Sequence, residues 1–231
     1  MDFDLGIVYG WQRLIPQKVL DKFNIGVFGF HASPLGLPAC KGRSPLNWSI
    51  IEGRDKTFNH FFKYNEKADD GLIYSITKFE INQHDTIDTI NKKSLICAKR
   101  EIKNLIEDYL NPFTDINKKL KPQKKYIKES FYPKRGPKDG QIDLNQSTNE
   151  IYNLVRAVSK PFPGAFLFYG EYKITIWKAH PFDNILDFND YELGEIIDVI
   201  DKTPILRTAD GALLINEYES DIELKEKYIL N

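Results

Sequence analysis

Among the side chains of this sequence that can move a proton, His31 and Asp69 stand out by their placement. Each falls where a predicted strand gives way to a loop or turn, which is where open α/β sheets present their ligands. A histidine oriented by a carboxylate can take the proton of an incoming amine. Acyl transfer to an amine needs such an acceptor, together with a group that stabilises the charge growing on the carbonyl oxygen. A single histidine is more often structural, so His31 needs context before it carries chemistry. The remaining titratable candidates offer less: His60 alternates with Phe58 and Phe62 on a predicted strand, facing solvent or packing, while His84 and His180 read as loop residues. Cys40 and Cys97 lie far apart with no Cys-x-x-Cys pair, which gives no support to a disulfide framework or a zinc site. With no paired ligands at metal spacing, no metal is predicted.

The elements that must position this pair follow from the hydrophobic pattern. Phe3 to Tyr9 is short, apolar and closed by Gly10, as a buried strand would be. Pro16 suits a first helical turn, with Val19, Leu20 and Phe23 as the apolar face of a helix ending at Asn24. Ile25 to Phe30 reads as the strand that delivers His31 to an irregular loop, Ala32 to Arg43. Ser44-Pro45 opens a short helix stopped by Gly53, and Thr57 to Tyr64 and Leu72 to Phe79 read as strands around the turn Lys67 to Gly71. A long amphipathic helix is expected from about Thr86 to Leu110, its face made by Ile87, Ile90, Leu95, Ala98, Ile102, Leu105, Ile106 and Leu110. Residues 111–141, rich in proline and lysine, read as a solvated connector with a lesser case for facing phosphate. The capping box Ser147-Thr148-Asn149-Glu150 then opens a helix through Val158. From Ala165 the pattern alternates over short lengths, with turns expected at Gly170-Glu171, His180-Pro181 and Asp210-Gly211.

Composition narrows the partners. The longest apolar runs, such as Ala165 to Tyr169, are far shorter than the roughly 20 residues that cross a bilayer, and the acidic start Met1-Asp2-Phe3-Asp4 is unlike a signal peptide. A cytoplasmic protein without membrane contact is expected. Formal charge is −1, but residues 1–164 carry +7 and residues 165–231 carry −8. Nucleic-acid binding depends on neutralising phosphates with lysine and arginine, so the acidic region argues against a nucleic-acid partner.

Four segments supply the context His31 needs. Gly29-Phe30-His31-Ala32-Ser33-Pro34-Leu35-Gly36-Leu37-Pro38, with Lys41-Gly42-Arg43-Ser44-Pro45-Leu46-Asn47-Trp48, resembles the active-site segment of the formyltetrahydrofolate-dependent formyltransferases. Lys67-Ala68-Asp69-Asp70-Gly71-Leu72-Ile73 is similar to the family's Asp-x-Gly-x-Ile turn. Arg135 with Asp139-Gly140-Gln141-Ile142-Asp143, then Ile151 to Val158 ending in Lys160-Pro161-Phe162-Pro163-Gly164-Ala165-Phe166, matches the segment that follows it, in the same order.

The resemblance implies an α/β fold, a partial Rossmann-like formyltransferase core over 1–110, a linker and helical segment over 111–164, and a small β-rich C-terminal subdomain over 165–231. It makes His31 the base or proton shuttle and Asp69 its orienting partner, with Asp70 in the variable place. Tyr9, Gly10, Trp11, Leu35, Leu37, Pro38 and Gly42 would border the acyl donor, mainly through backbone groups. Ser33, Arg43 and Phe162 would face the substrate. Two departures matter. Family members carry an asparagine two positions before the histidine, supporting the oxyanion, and here that residue is Gly29. A glycine there leaves space for a methyl group, so acetyl-CoA stands beside 10-formyltetrahydrofolate as expected donor, with a backbone amide or His31 covering the lost side chain. The chain also starts at what would be the family's fourth strand, which leaves an edge strand to be covered by a homodimer mate or another partner. The expected reaction is acyl transfer to the amine of a nucleotide-linked amino sugar; a methionyl-tRNA formyltransferase-like enzyme and a catalytically decayed binding protein are the alternatives.

Overall fold

The computed structural model describes residues 3–11 and 13–231. The chain divides into two compact units: Met1–Ser49, Arg54–Gln83 and Thr89–Lys134 form the first, and Ile50–Gly53, His84–Asp88 and Arg135–Asn231 the second.

In the first unit, β1 (Phe3–Val8) is followed by α1 (Gln17–Leu20) and β2 (Phe23–Ser33), then by β3 (Lys41–Gly42) and α2 (Pro45–Ile51). Next come β4 (Lys56–Lys63), β5 (Ile73–Glu80), α3 (Ile87–Leu110), α4 (Ile116–Lys119) and β6 (Phe131–Tyr132). The main sheet has the order β1-β2-β4-β5, with β1 parallel to β2 and the other pairs antiparallel. Strand alternation splits β2 into two faces. Phe28 and Phe30 point toward a core completed by Phe61, Leu105 and Ile116, where Phe30 stacks on Phe61 at 4.2 Å. Gly29, His31 and Ser33 take the opposite face, beside a smaller cluster of Leu37, Phe62 and Ile73.

Several expectations are corrected here. The first helix is one turn long, and Phe23 begins β2 instead of ending that helix. The strand carrying His31 runs on to Ser33, so the histidine lies inside it, paired with His60. The loop after it is not wholly irregular, since Lys41 and Gly42 pair in parallel with Phe131 and Tyr132. On α3 the buried row is Ile87, Ile90, Cys97, Ala98 and Leu105, while Leu95, Ile106 and Leu110 face outward. Residues 111–134 are no solvated linker: Ile116 is buried in the core, and Lys121 bridges to Ile73.

The second unit contains α5 (Thr148–Val158), opened by the expected Ser147–Glu150 capping box, and five antiparallel strands. These are β7 (Ala165–Tyr169), β8 (Tyr172–Asp183), β9 (Ile196–Ile200), β10 (Thr203–Thr208) and β11 (Gly211–Glu219), in the order β7-β8-β11-β10-β9. His180 and Pro181 lie within β8, paired with Leu214 and Leu213, and not at a turn. The unit is thus an antiparallel sheet with α5 and a short 3₁₀ turn at Pro137–Gly140, the β-rich C-terminal portion the pattern anticipates. No described helix is long and apolar enough to cross a membrane.

Candidate active site

His31 is buried at 7% exposure, and its two ring nitrogens face different acceptors. Nε2 lies 3.0 Å from the carbonyl oxygen of Cys40, which can only accept, so that nitrogen carries the proton. Nδ1 faces the Asp69 carboxylate at 3.3 Å and is therefore the atom on which an arriving proton lands. The second carboxylate oxygen of Asp69 accepts the Gly42 amide at 3.1 Å. Asp69 is more exposed than His31, so the carboxylate is the end of the pair nearer solvent.

The turn that holds Asp69 is dictated by local sterics. Asp69 has φ +52, a left-handed conformation that aspartate tolerates better than most residues. A Cβ on Gly71 would stand 1.6 Å from the Lys63 carbonyl oxygen, so only glycine lets the turn lie against the end of β4. Gln123 clamps the same turn from the 111–134 segment, its Nε2 donating to the carbonyls of Asp69 at 2.8 Å and Gly71 at 3.2 Å. Beside it, the buried Lys41 ammonium donates to Asp70 at 2.8 Å and Glu129 at 2.7 Å. These carboxylates hold the lysine charged against the cost of burial, and the ammonium in turn keeps Asp70 below the usual carboxylate range.

The loop 34–43 is fastened just as closely. Ser130 Oγ accepts the Cys40 amide at 3.0 Å, and Trp48 stacks on Tyr132 at 5.4 Å. His60 Nε2 accepts the Leu37 amide at 3.2 Å, which leaves Nδ1–H to donate to the His31 carbonyl at 3.3 Å. Burial holds His60 neutral, its pKa pushed down to about 4.

Of the residues expected at the site, His31, Asp69, Leu37 and Gly42 come together around the loop and turn, and Leu37-Pro38 is a cis peptide. The amides of Leu37 and Gly42 are engaged by His60 and Asp69, so neither is available to a donor molecule as expected. Ser33 is fully buried and its hydroxyl donates to the Ala39 carbonyl at 2.8 Å; it shapes the loop and does not face a substrate. Tyr9 meets Phe30 edge to face at 5.8 Å, Gly10 has φ +73, and Trp11 and Leu35 are exposed. Arg43 is an exposed residue whose amide donates to Tyr132, and Phe162 belongs to the second unit. The space beside Gly29 is filled: a Cβ there would stand 2.2 Å from the Tyr64 hydroxyl oxygen. Room for a methyl group, the basis for acetyl-CoA, is absent at that point. Tyr64, His60, Gln123 and Glu129 belong to no motif that spacing alone reveals, and Lys41 falls in a quoted segment without a role assigned to it there. The glycines and the proline-lysine segment around them were the signals available.

A histidine–carboxylate pair on this strand and turn is accompanied by matches to two family models. That described as "Formyl transferase" covers residues 1–106, and that described as "Formyl transferase, C-terminal domain" covers residues 135–227. The chain belongs to the formyltransferase family. Among curated relatives, this chain is 33% identical over 180 residues to the bifunctional polymyxin resistance protein ArnA of Wigglesworthia glossinidia brevipalpis, spanning 76% of this chain and 26% of that protein. It therefore spans about a quarter of that relative's length.

Solved structures share the formyltransferase fold at lower identity. HypX from Aquifex aeolicus, in complex with tetrahydrofolic acid, superposes at TM-score 0.67 and 21% identity, over 95% of this chain and 36% of HypX. A methionyl-tRNA formyltransferase from Clostridium thermocellum gives 0.63 and 22%, over 78% and 74% of the two chains. An N-formyltransferase from Helicobacter canadensis, with folinic acid and dTDP-3-aminofucose, gives 0.61 and 17%, over 96% and 73%. No cluster of three or more metal-ligating side chains occurs among the described residues.

Proposed function

We propose that this formyltransferase moves the formyl group of a formylated tetrahydrofolate to the amine of a nucleotide-linked amino sugar. The observation that carries the reading is the contact between His31 Nδ1 and Asp69 at the exposed rim of a buried histidine. The amine nitrogen attacks the formyl carbon, the carbonyl electrons move to oxygen, and the amine's proton passes through Asp69 to His31 Nδ1. Collapse of the tetrahedral centre breaks the bond to the folate nitrogen, which takes the proton back from the pair. Atoms and charge balance without a metal or an oxidant.

Two observations favour a formyl group over an acetyl group. The volume beside Gly29 is taken by Tyr64, and solved relatives of this fold carry folates. A sugar amine is favoured over a charged tRNA by the net −8 of residues 165–231, which repels a polyanion, and by the dTDP-amino sugar on one relative.

The test is direct. Purified chain is incubated with 10-formyltetrahydrofolate and dTDP- or UDP-linked amino sugars, and in parallel with acetyl-CoA. A mass gain of one formyl group from the folate, none from acetyl-CoA, and a loss of roughly 100- to 10,000-fold in His31→Ala are expected. Product on aminoacylated tRNA alone would overturn the sugar reading, and acetyl transfer would overturn the donor.

A further inference from the structure

Acyl transfer at this site requires a hydrogen-bond donor for the carbonyl oxygen as it becomes an oxyanion. The nearest candidates are committed elsewhere: His31 Nε2–H to Cys40, the Gly42 amide to Asp69, and the Leu37 amide to His60. One donor on the His31 face is free. The Tyr64 amide donates to the Val27 carbonyl at 2.7 Å, which continues the β2–β4 register two steps beyond Gly29–Phe62, past Phe28–Lys63. Alternation then sends the Tyr64 side chain to the face shared by Gly29 and His31. Its ring is fixed against Phe62, with centroids 5.2 Å apart, and packs on the Leu37, Phe62 and Ile73 cluster. Its hydroxyl oxygen occupies the space where a side chain at position 29 would begin, and it has no hydrogen-bond partner among the described residues.

We propose that the Tyr64 hydroxyl is the donor to the acyl carbonyl oxygen, delivered from the residue just after β4 into the space that Gly29 leaves open on β2. This assignment rests on the acyl-transfer reading above. The strand rise puts positions 29 and 31 about 6.7 Å apart on one face, so the phenol lying over position 29 and the imidazole of His31 flank a common space. The protonation state suits the task. Burial, and then the charge of Asp69, push the Tyr64 phenol up to about 12, so it holds its proton throughout the range in which the enzyme would work. Gly29 is in this light no missing group, since any Cβ at that position would expel the phenol.

Tyr64→Phe removes only the hydroxyl and leaves the ring packing. The expected result is a fall of roughly 100- to 1,000-fold in kcat for formyl transfer, with KM for folate and amine within about twofold of wild type and an unchanged melting temperature. A purely structural tyrosine would shift melting and leave kcat alone. A second arm exchanges the two groups: Gly29→Asn alone lowers both stability and rate, because its Cβ collides with Tyr64, and adding Tyr64→Ala restores melting and gives a rate above that of Tyr64→Ala alone. A Tyr64→Phe rate within about threefold of an active wild type overturns the assignment and leaves the reaction standing. A wild type that transfers no formyl group from folate overturns both.

Discussion

At the scale of single residues, His60 is the clearest source of pH dependence. It is neutral in the fold, accepting from one amide and donating to the carbonyl of the residue opposite, and its pKa is pushed from 6.5 down to about 4. Unfolded chain therefore binds a proton that folded chain refuses as pH drops below 6.5. The stability that His60 contributes is complete above that pH and is lost progressively toward pH 4, by roughly 3 kcal/mol across the window. Denaturant titrations at pH 7, 6, 5 and 4 should show this slope, and His60→Gln should flatten it; a parallel slope in the variant would refute the account. His60 also illustrates what spacing reveals at this scale. His31 and Asp69 were legible because each sits in a motif with glycines at fixed offsets, and Gly71 is required where a Cβ would stand 1.6 Å from the Lys63 carbonyl oxygen. Tyr64 and Lys41 were not, because their roles arise from partners brought together by folding: Gly29 across one strand pair, and Glu129 nearly ninety positions away.

At the scale of elements, the segment from α4 to β6 acts as the clamp of the site. It contributes Ile116 to the core, Gln123 to the Asp69 turn, Glu129 to Lys41 and Ser130 to the loop after β2. Gln123→Ala leaves two turn carbonyls without their donor. The expected cost is about 1–2 kcal/mol in stability, together with a 10- to 100-fold loss in kcat/KM from a displaced Asp69. Equal kcat/KM in the variant would show that the turn holds itself. Prolines and lysines made this stretch look like solvated chain, since charge and turn residues dominate its composition while its few anchoring side chains follow no period. The opposite holds for α5, where the Ser147 hydroxyl and the Glu150 carboxylate satisfy end groups of the helix and a local pattern carries the whole signal.

At the scale of the molecule, charge is divided along the chain, +7 over residues 1–164 and −8 over residues 165–231. Binding to a tRNA is accordingly expected to be weak at 150 mM salt, with a shallow salt dependence, because few phosphates can be neutralised. Filter binding across a salt series measures this, and a steep slope with tight retention would reverse the choice of amine. The exchange of side chains between β2 and β4 has its own consequence for descent. A side chain at position 29 would begin 2.2 Å from the Tyr64 hydroxyl oxygen, so the two cannot both keep their places and the phenol must swing aside. A single substitution at either position therefore passes through a protein with a displaced phenol or with neither group in place. Positions 29 and 64 are thus coupled, and a change at one is best accommodated when the other changes with it.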